Sequence, residues 1–289
     1  MDYQIAFPHL GIRLDHVPKG FQIGSFTIAC YGIMIAIGML LGISAVCRRA
    51  KATGQSADDY LDISIWTMLI AIIGARIYYV AFTWSYYKKD LLSILNLREG
   101  GLAIYGGLIA GVLALLLLSK KKRIAFPVIL DTVAIGIPIG QILGRWGNFF
   151  NREAFGGYTD SLLAMQLPVS AVRQGEITQA MWEHAAVIDG ISFIQVHPTF
   201  LYEGLWNCGV LLFLFLMRNR TVFRGELFLY YLAGYGIGRF FIERLRTDQL
   251  LIPGTGIPVS MAVSAAAAVI SLVLIIRGRR TAAVKTAKK

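Results

Sequence analysis

Charge is what this sequence has least of. Only 16% of its 289 residues are charged, against 56% apolar, and a soluble domain of this length needs far more polar surface. Cysteine is scarce as well. Cys30, Cys47 and Cys208 lie in or beside apolar runs without framework spacing, which excludes a disulfide scaffold. The four histidines include no pair that suggests a metal site. There is no ATP-binding motif, no low-complexity linker and no clear internal repeat. No basic n-region precedes the first apolar run, so no cleavable signal peptide is expected.

Long apolar runs are what the sequence has instead. They cover 24–46, 59–83, 101–118, 127–145, 199–217, 225–242 and 258–276. Each is long enough, as a helix, to cross about 30 Å of hydrocarbon. The expected fold is an all-α polytopic membrane protein with about seven transmembrane helices, residues 1–289 forming one integral membrane domain. The second and fourth runs carry Arg76 and Asp131. Residues 146–198 hold no long apolar run and read as a small head on the outer face. Gly38 and Gly42, Gly107 and Gly111, and Gly136 and Gly140 have GxxxG spacing, which lets helices approach closely. Pro138 is expected to kink the fourth span near its outer end.

The net charge of +11 does not point to nucleic acid, because of where it sits. Basic groups follow the first span (Arg48, Arg49, Lys51), the third (Lys120, Lys121, Lys122, Arg123), the fifth (Arg218, Arg220, Arg224) and the seventh (Arg277 to Lys289). That places 16 of the 28 basic residues on one side. The positive-inside rule puts that side, with the C-terminus, in the cytoplasm and the N-terminus outside. Seven spans require the same opposition. Such loops need no ligand beyond anionic membrane lipids.

Four polar clusters then call for an explanation at the outer side. "GRWGNFFNREAFGG" carries Arg145, Asn148, Asn151, Glu153 and Gly156. "YGIGRFFIERLR" carries Tyr235, Arg239, Glu243 and Arg246, the first three four apart and so on one helix face. "GGLAIYGGLIAG" places Tyr105 between glycine pairs, and "HPTFLYE" supplies His197, Tyr202 and Glu203. Ionisable groups in spans are costly and usually face a cavity or one another. Arginines converging at one depth imply an anion, and a lipid phosphate fits the guanidinium fork. This reading leaves open a lipid-modifying enzyme and a non-enzymatic phospholipid flippase or channel.

These four motifs, in their order along the chain, resemble those of the prolipoprotein diacylglyceryl transferase family; "CYGIM" adds Tyr31, which matches a tyrosine of the family's first span. The resemblance covers nearly the whole chain except about 158–195. It implies a multi-pass enzyme of the bacterial cytoplasmic membrane, without a cofactor. The implied partners are phosphatidylglycerol and a prolipoprotein signal peptide with its lipobox cysteine, whose thiol takes the diacylglyceryl group as glycerol 1-phosphate leaves. On this resemblance the catalytic candidates are Arg145, Arg239, Glu153, Tyr235, Glu243, Tyr105 and His197. The substrate-binding candidates are Arg145, Asn148, Asn151, Gly156, Tyr31 and Arg246. Arg145 and Arg239 would hold the phosphate, with Glu153 and Glu243 fixing them or accepting a proton. Tyr105 departs from the pattern: many members have histidine there, cast as the base. A phenol with a pKa near 10 is a poor base at neutral pH, so Tyr105 orients the substrate or the base lies elsewhere.

Overall fold

The computed structural model describes residues 4–24, 26–97 and 100–287. Lys288 and Lys289, two of the tail cations, lie outside the described residues. The order of elements is β1 (Ile5–Phe7), β2 (Ile12–Leu14), β3 (Gly20–Ile23), β4 (Phe26–Ala29), α1 (Cys30–Ala52), α2 (Ala57–Phe82), α3 (Trp84–Tyr87), α4 (Ile104–Lys122), α5 (Phe126–Val133), α6 (Gly136–Asn151), β5 (Met165–Pro168), α7 (Gln179–Glu183), β6 (Ala186–Ile188), β7 (Ile191–Val196), α8 (Thr199–Met217), α9 (Glu226–Glu243) and α10 (Val259–Ala287), with short 3-10 turns between.

By length and composition α1, α2, α4, α8 and α10 can each cross a membrane, and α5 with α6 makes a sixth if the interrupted pair is one span. The molecule is therefore a mostly helical, polytopic membrane protein. The remaining apolar run is α9, whose 18 residues include Glu226, Arg239 and Glu243. Two departures from the sequence reading have a local cause. The first helix starts at Cys30 because the residues before it form the β3–β4 hairpin. The fourth run breaks at Ala134 and Ile135, near its start and not near its outer end. A proline ring clashes with the carbonyl four residues earlier, and for Pro138 that residue is Ala134.

Contacts divide the chain into two compact units: one takes the chain up to Gly42 and from Ala134 onward, the other Ile43–Val133. In the second unit Ser56 caps α2 by accepting from the Asp59 amide at 3.2 Å. Helices α2 and α4 touch at glycines. A Cβ on Gly74 would lie 2.2 Å from the Ala110 Cβ, and one on Gly106 2.6 Å from the Gly74 carbonyl oxygen. Gly107 and Gly111, the pair with GxxxG spacing, have more room. Arg76 is buried and donates to five backbone carbonyls: Ile94, Gly100, Gly101, Ser93 and Asn96, at 2.8–3.0 Å. Its guanidinium pins the chain ahead of α4.

The first unit corrects the all-α expectation. It contains an antiparallel sheet in the order β2-β1-β5-β7-β6. These strands are three to six residues long, too short for alternation to show, and two come from the N-terminal segment. Ile5, Phe7, Leu167, Ile194 and Val196 of the sheet share one core with Phe149 of α6 and Phe200 of α8. The sheet is thereby seated on the C-terminal end of α6 and the N-terminal end of α8. Helices α1 and α6 meet glycine to glycine: a Cβ on Gly38 would lie 3.4 Å from the Gly140 Cα, and one on Gly42 3.0 Å from the Gly136 oxygen.

Candidate active site

The polar groups of the first unit converge where α6, α8 and α9 meet below the sheet. Arg145 is one and a half turns from the end of α6, Glu203 in the second turn of α8, and Arg239 one turn from the end of α9. Glu203 is 2% exposed and lies between the two arginines. Its Oε1 is 3.0 Å from Arg145 Nε, and its Oε2 accepts from Arg239 Nη1 at 3.0 Å. One carboxylate thus holds two guanidiniums and leaves one net positive charge over the three groups. The Arg145 Nη2 and Arg239 Nε groups have no partner among the described residues.

Two further chains of contacts brace the pair. Arg145 Nη1 donates to Asn148 Oδ1 at 3.0 Å, and Asn148 Nδ2 donates to Glu153 Oε1 at 2.9 Å. Glu153 Oε2 lies 3.7 Å from Arg173 Nη2, an exposed residue of the head. On the other side Arg239 Nη2 is 2.6 Å from Glu243 Oε2, as the i,i+4 spacing requires. Glu243 also accepts from the Ser260 hydroxyl of α10. Arg246 is 3.9 Å from Glu243 and makes a fork to Asp248 at 2.9 and 2.6 Å. Burial works against the Asp248 carboxylate, but the Arg246 fork outweighs it and holds its pKa below the usual range.

The backbone after α6 turns sharply to bring Glu153 back beside Asn148. Arg152 (φ 55°) and Ala154 (φ 58°) are left-handed without being glycine, at a cost of about 1 kcal/mol each. Buried Arg152 offsets this by donating to the Phe150 and Val17 carbonyls, and the Thr199 hydroxyl donates to the Ala154 carbonyl. Gly156 then runs between two strands of chain. Its amide donates to the His197 carbonyl, and the next amide to that of Leu245. A Cβ here would lie 2.7 Å from the His197 Cβ and 2.8 Å from the Leu245 oxygen, so only glycine fits.

Of the candidates, Arg145, Asn148, Glu153, Arg239, Glu243 and Arg246 form this one network. Gly156 and His197 flank it. His197 Nδ1 is 3.2 Å from the Tyr202 hydroxyl, and burial lowers its pKa below the ordinary histidine value. Tyr235 stacks on Tyr231, with ring centres 5.9 Å apart. Tyr31 packs its ring over Gly147. Asn151 ends α6 half-buried, with no side-chain hydrogen bond among the described residues. Tyr105 belongs to the second unit, as the second residue of α4, half-buried. Glu203 closes the HPTFLYE motif, and the resemblance assigns it no role; its signal is a carboxylate on an apolar helix.

A family model described as prolipoprotein diacylglyceryl transferase matches residues 18–277. The chain belongs to that family. Its relatives include proteins named phosphatidylglycerol–prolipoprotein diacylglyceryl transferase. The one from Bacillus cytotoxicus is 41% identical over 271 residues, 93% of this chain and 94% of the relative. The one from Clostridioides difficile is 43% identical over 232 residues, covering 80% and 84%. That of Bacillus cereus strain Q1 is 39% identical over 270 residues, 93% of each. Membership extends over all three site helices and the loops between them.

Proposed function

We propose that this chain is a membrane transferase that moves the diacylglyceryl group of phosphatidylglycerol to the thiol of the lipobox cysteine of a prolipoprotein. The supporting observation is the pair of arginines held on one buried carboxylate with N–H groups to spare. Near-complete coverage by transferases of that name supports the substrates. In the reaction a thiolate attacks C3 of the diacylglyceryl moiety. The sulfur–carbon bond forms as the C3–oxygen bond to phosphate breaks, and glycerol 1-phosphate leaves with both electrons of that bond. Arg145 and Arg239 donate to the phosphate oxygens, where charge builds as the bond breaks. Glu203 and Glu243 aim those arginines, and Asn148 and Glu153 steady Arg145 from the opposite side. Gly156 lets the 155–157 segment close over the site. His197, neutral at neutral pH, is the group in this unit best suited to take the thiol proton, since a cysteine thiol near pKa 8.5 needs a base.

In this reading the head faces outward, α9 is a seventh span, and the N- and C-termini lie on opposite faces of the bacterial cytoplasmic membrane. A lipid conduit would need polar groups available through the membrane depth, and Arg76, the obvious one, is committed to backbone carbonyls. The test is purified protein with labelled phosphatidylglycerol and a lipobox peptide. Thioether-linked product with release of glycerol phosphate is expected. Lipid movement between leaflets without that product would overturn the reading.

A further inference from the structure

The polar stripe does not stop at the arginines. The ion pairs of Glu203 with Arg145 and Arg239 fix the register of α6, α8 and α9. Gln141 is four residues before Arg145, Asn207 four after Glu203, and Tyr235 four before Arg239. Equal steps along antiparallel and parallel neighbours bring these three to one level, about 6 Å further from the head than the arginines. Other α8–α9 contacts agree with this register: Trp206 donates to the Gly234 carbonyl at 2.8 Å, and a Cβ on Gly234 would lie 3.1 Å from Val210.

At that level the hydrogen bonding is incomplete. Asn207 is 0% exposed, and among the described residues neither its Nδ2 nor its Oδ1 has a partner. Gln141 Oε1 is also buried without a partner, while its Nε2 donates to the Tyr231 hydroxyl at 2.9 Å. Polar side chains inside helical bundles usually serve as interhelical hydrogen bonds; Asn207 makes none. A buried amide left this way costs free energy that a fitting ligand would recover. The open set is mixed, with one amide group that donates and two oxygens that accept. An ester carbonyl only accepts and an ammonium only donates. A hydroxyl does both.

We infer that Asn207 and Gln141 form a polyol subsite that takes the hydroxyl-bearing head group of the lipid whose phosphate the arginines bind. This rests on the transferase reading above and deepens it, because it assigns the choice of head group to named residues. In a glycerol phosphodiester the hydroxyls sit on the second and third carbons from the phosphate oxygen, a reach comparable with one helical turn. Asn207 is covered in this structure, so the head group enters as side chains between the three helices part.

The test compares phosphatidylglycerol with phosphatidylethanol, which has the same phosphodiester charge but no hydroxyl. Thioether formation is measured for wild type, Asn207→Leu and Gln141→Leu, each normalised to inserted protein. Wild type should favour phosphatidylglycerol by at least about 10-fold in kcat/KM, because a site built to bind hydroxyls rejects the analogue lacking them. Both variants should lose that preference, slowing on phosphatidylglycerol while their rate on phosphatidylethanol changes little. If Asn207→Leu does not insert, Gln141→Leu carries the same comparison. A water bridging the two amides would slow both lipids alike and preserve the ratio, which overturns the subsite. Equal use of both lipids by wild type overturns it as well. Wild type inactive on every phospholipid would instead overturn the transferase reading, and the subsite with it.

Discussion

At the scale of the residue, the network turns on guanidinium geometry. Arg239 meets Glu203 through Nη1 and Glu243 through Nη2, a fork that a lysine ammonium does not reproduce. Arg239→Lys should therefore lose turnover by about 30- to 1000-fold, equivalent to about 2–4 kcal/mol of lost charge-assisted contact. The measurement is thioether formed per mole of inserted protein. Near-normal turnover would remove Arg239 from the chemistry and leave Arg145 as the principal phosphate ligand. His197 makes a prediction about pH. Burial holds its folded pKa below the unfolded value, so between the two the folded state binds fewer protons. Stability then rises with pH in that window and is lost as pH falls through it. The thermal unfolding midpoint in detergent should fall as the pH is lowered from about 7 through the ordinary histidine range, and His197→Gln should flatten that slope. Asp248, whose carboxylate is held low, acts in the same direction but in more acidic solution. An unchanged slope in the variant would place the acid sensitivity on other groups.

At the scale of the element, the basic clusters do more than set topology. Glu226 opens α9 fully buried and accepts from the Val222 amide, the Tyr230 hydroxyl and Arg279 of α10. Arg279 also donates to the Arg220 carbonyl at 3.3 Å, so it ties α10 to the loop between α8 and α9. Removing Thr281–Lys289 should leave activity and thermal midpoint nearly unchanged, since the lock lies before the cut. Arg279→Ala in the full-length chain should lower the midpoint by several degrees, because it leaves a buried carboxylate short of its charged partner. A truncation that inserts normally but loses activity would show that the tail has a role. What the sequence made legible follows the same division. Apolar length located the long helices, GxxxG spacing marked the faces on which α1 and α6 meet, and i,i+4 spacing paired Arg239 with Glu243, because those signals are local. Glu203 bridging Arg145 to Arg239, Gly74 facing Gly106, and β1 joining β5 are pairings between distant segments, and no local period encodes them. Arg76 is explained in the same way: a cation inside an apolar run, its partners are carbonyls of one loop 17 to 25 residues further on.

At the scale of the whole molecule, the open quantity is the number of crossings, and α9 decides it. Composition gives five spans, or six with α5 and α6 joined; the charged residues of α9 keep it from qualifying by that measure. Those residues are Glu226 at one end and Arg239 and Glu243 at the other, all with partners inside the unit. A helix whose charges are paired and grouped at its ends can lie across a bilayer. Labelling can settle the point, because the chain's own thiols are dispensable to it. Cys30 is buried, Cys47 half-buried and Cys208 exposed on α8, and none belongs to the arginine network. Replacing all three with serine should preserve turnover. In that background single cysteines are placed at Val187 in the head, Val222 between α8 and α9, and Val284 in α10, which are 72%, 53% and 55% exposed. A membrane-impermeant maleimide applied to intact cells should label Val187→Cys, and should reach the other two only after permeabilisation. Helix α8 alone separates positions 187 and 222, so their opposite behaviour tests one crossing. Position 284 lies two helices further on. If α9 crosses, α10 ends on the same face as position 222. If α9 stays on one face, α10 carries position 284 back to the side of the head, and it labels in intact cells. That outcome would reduce the count to six and place both termini on the same face of the membrane.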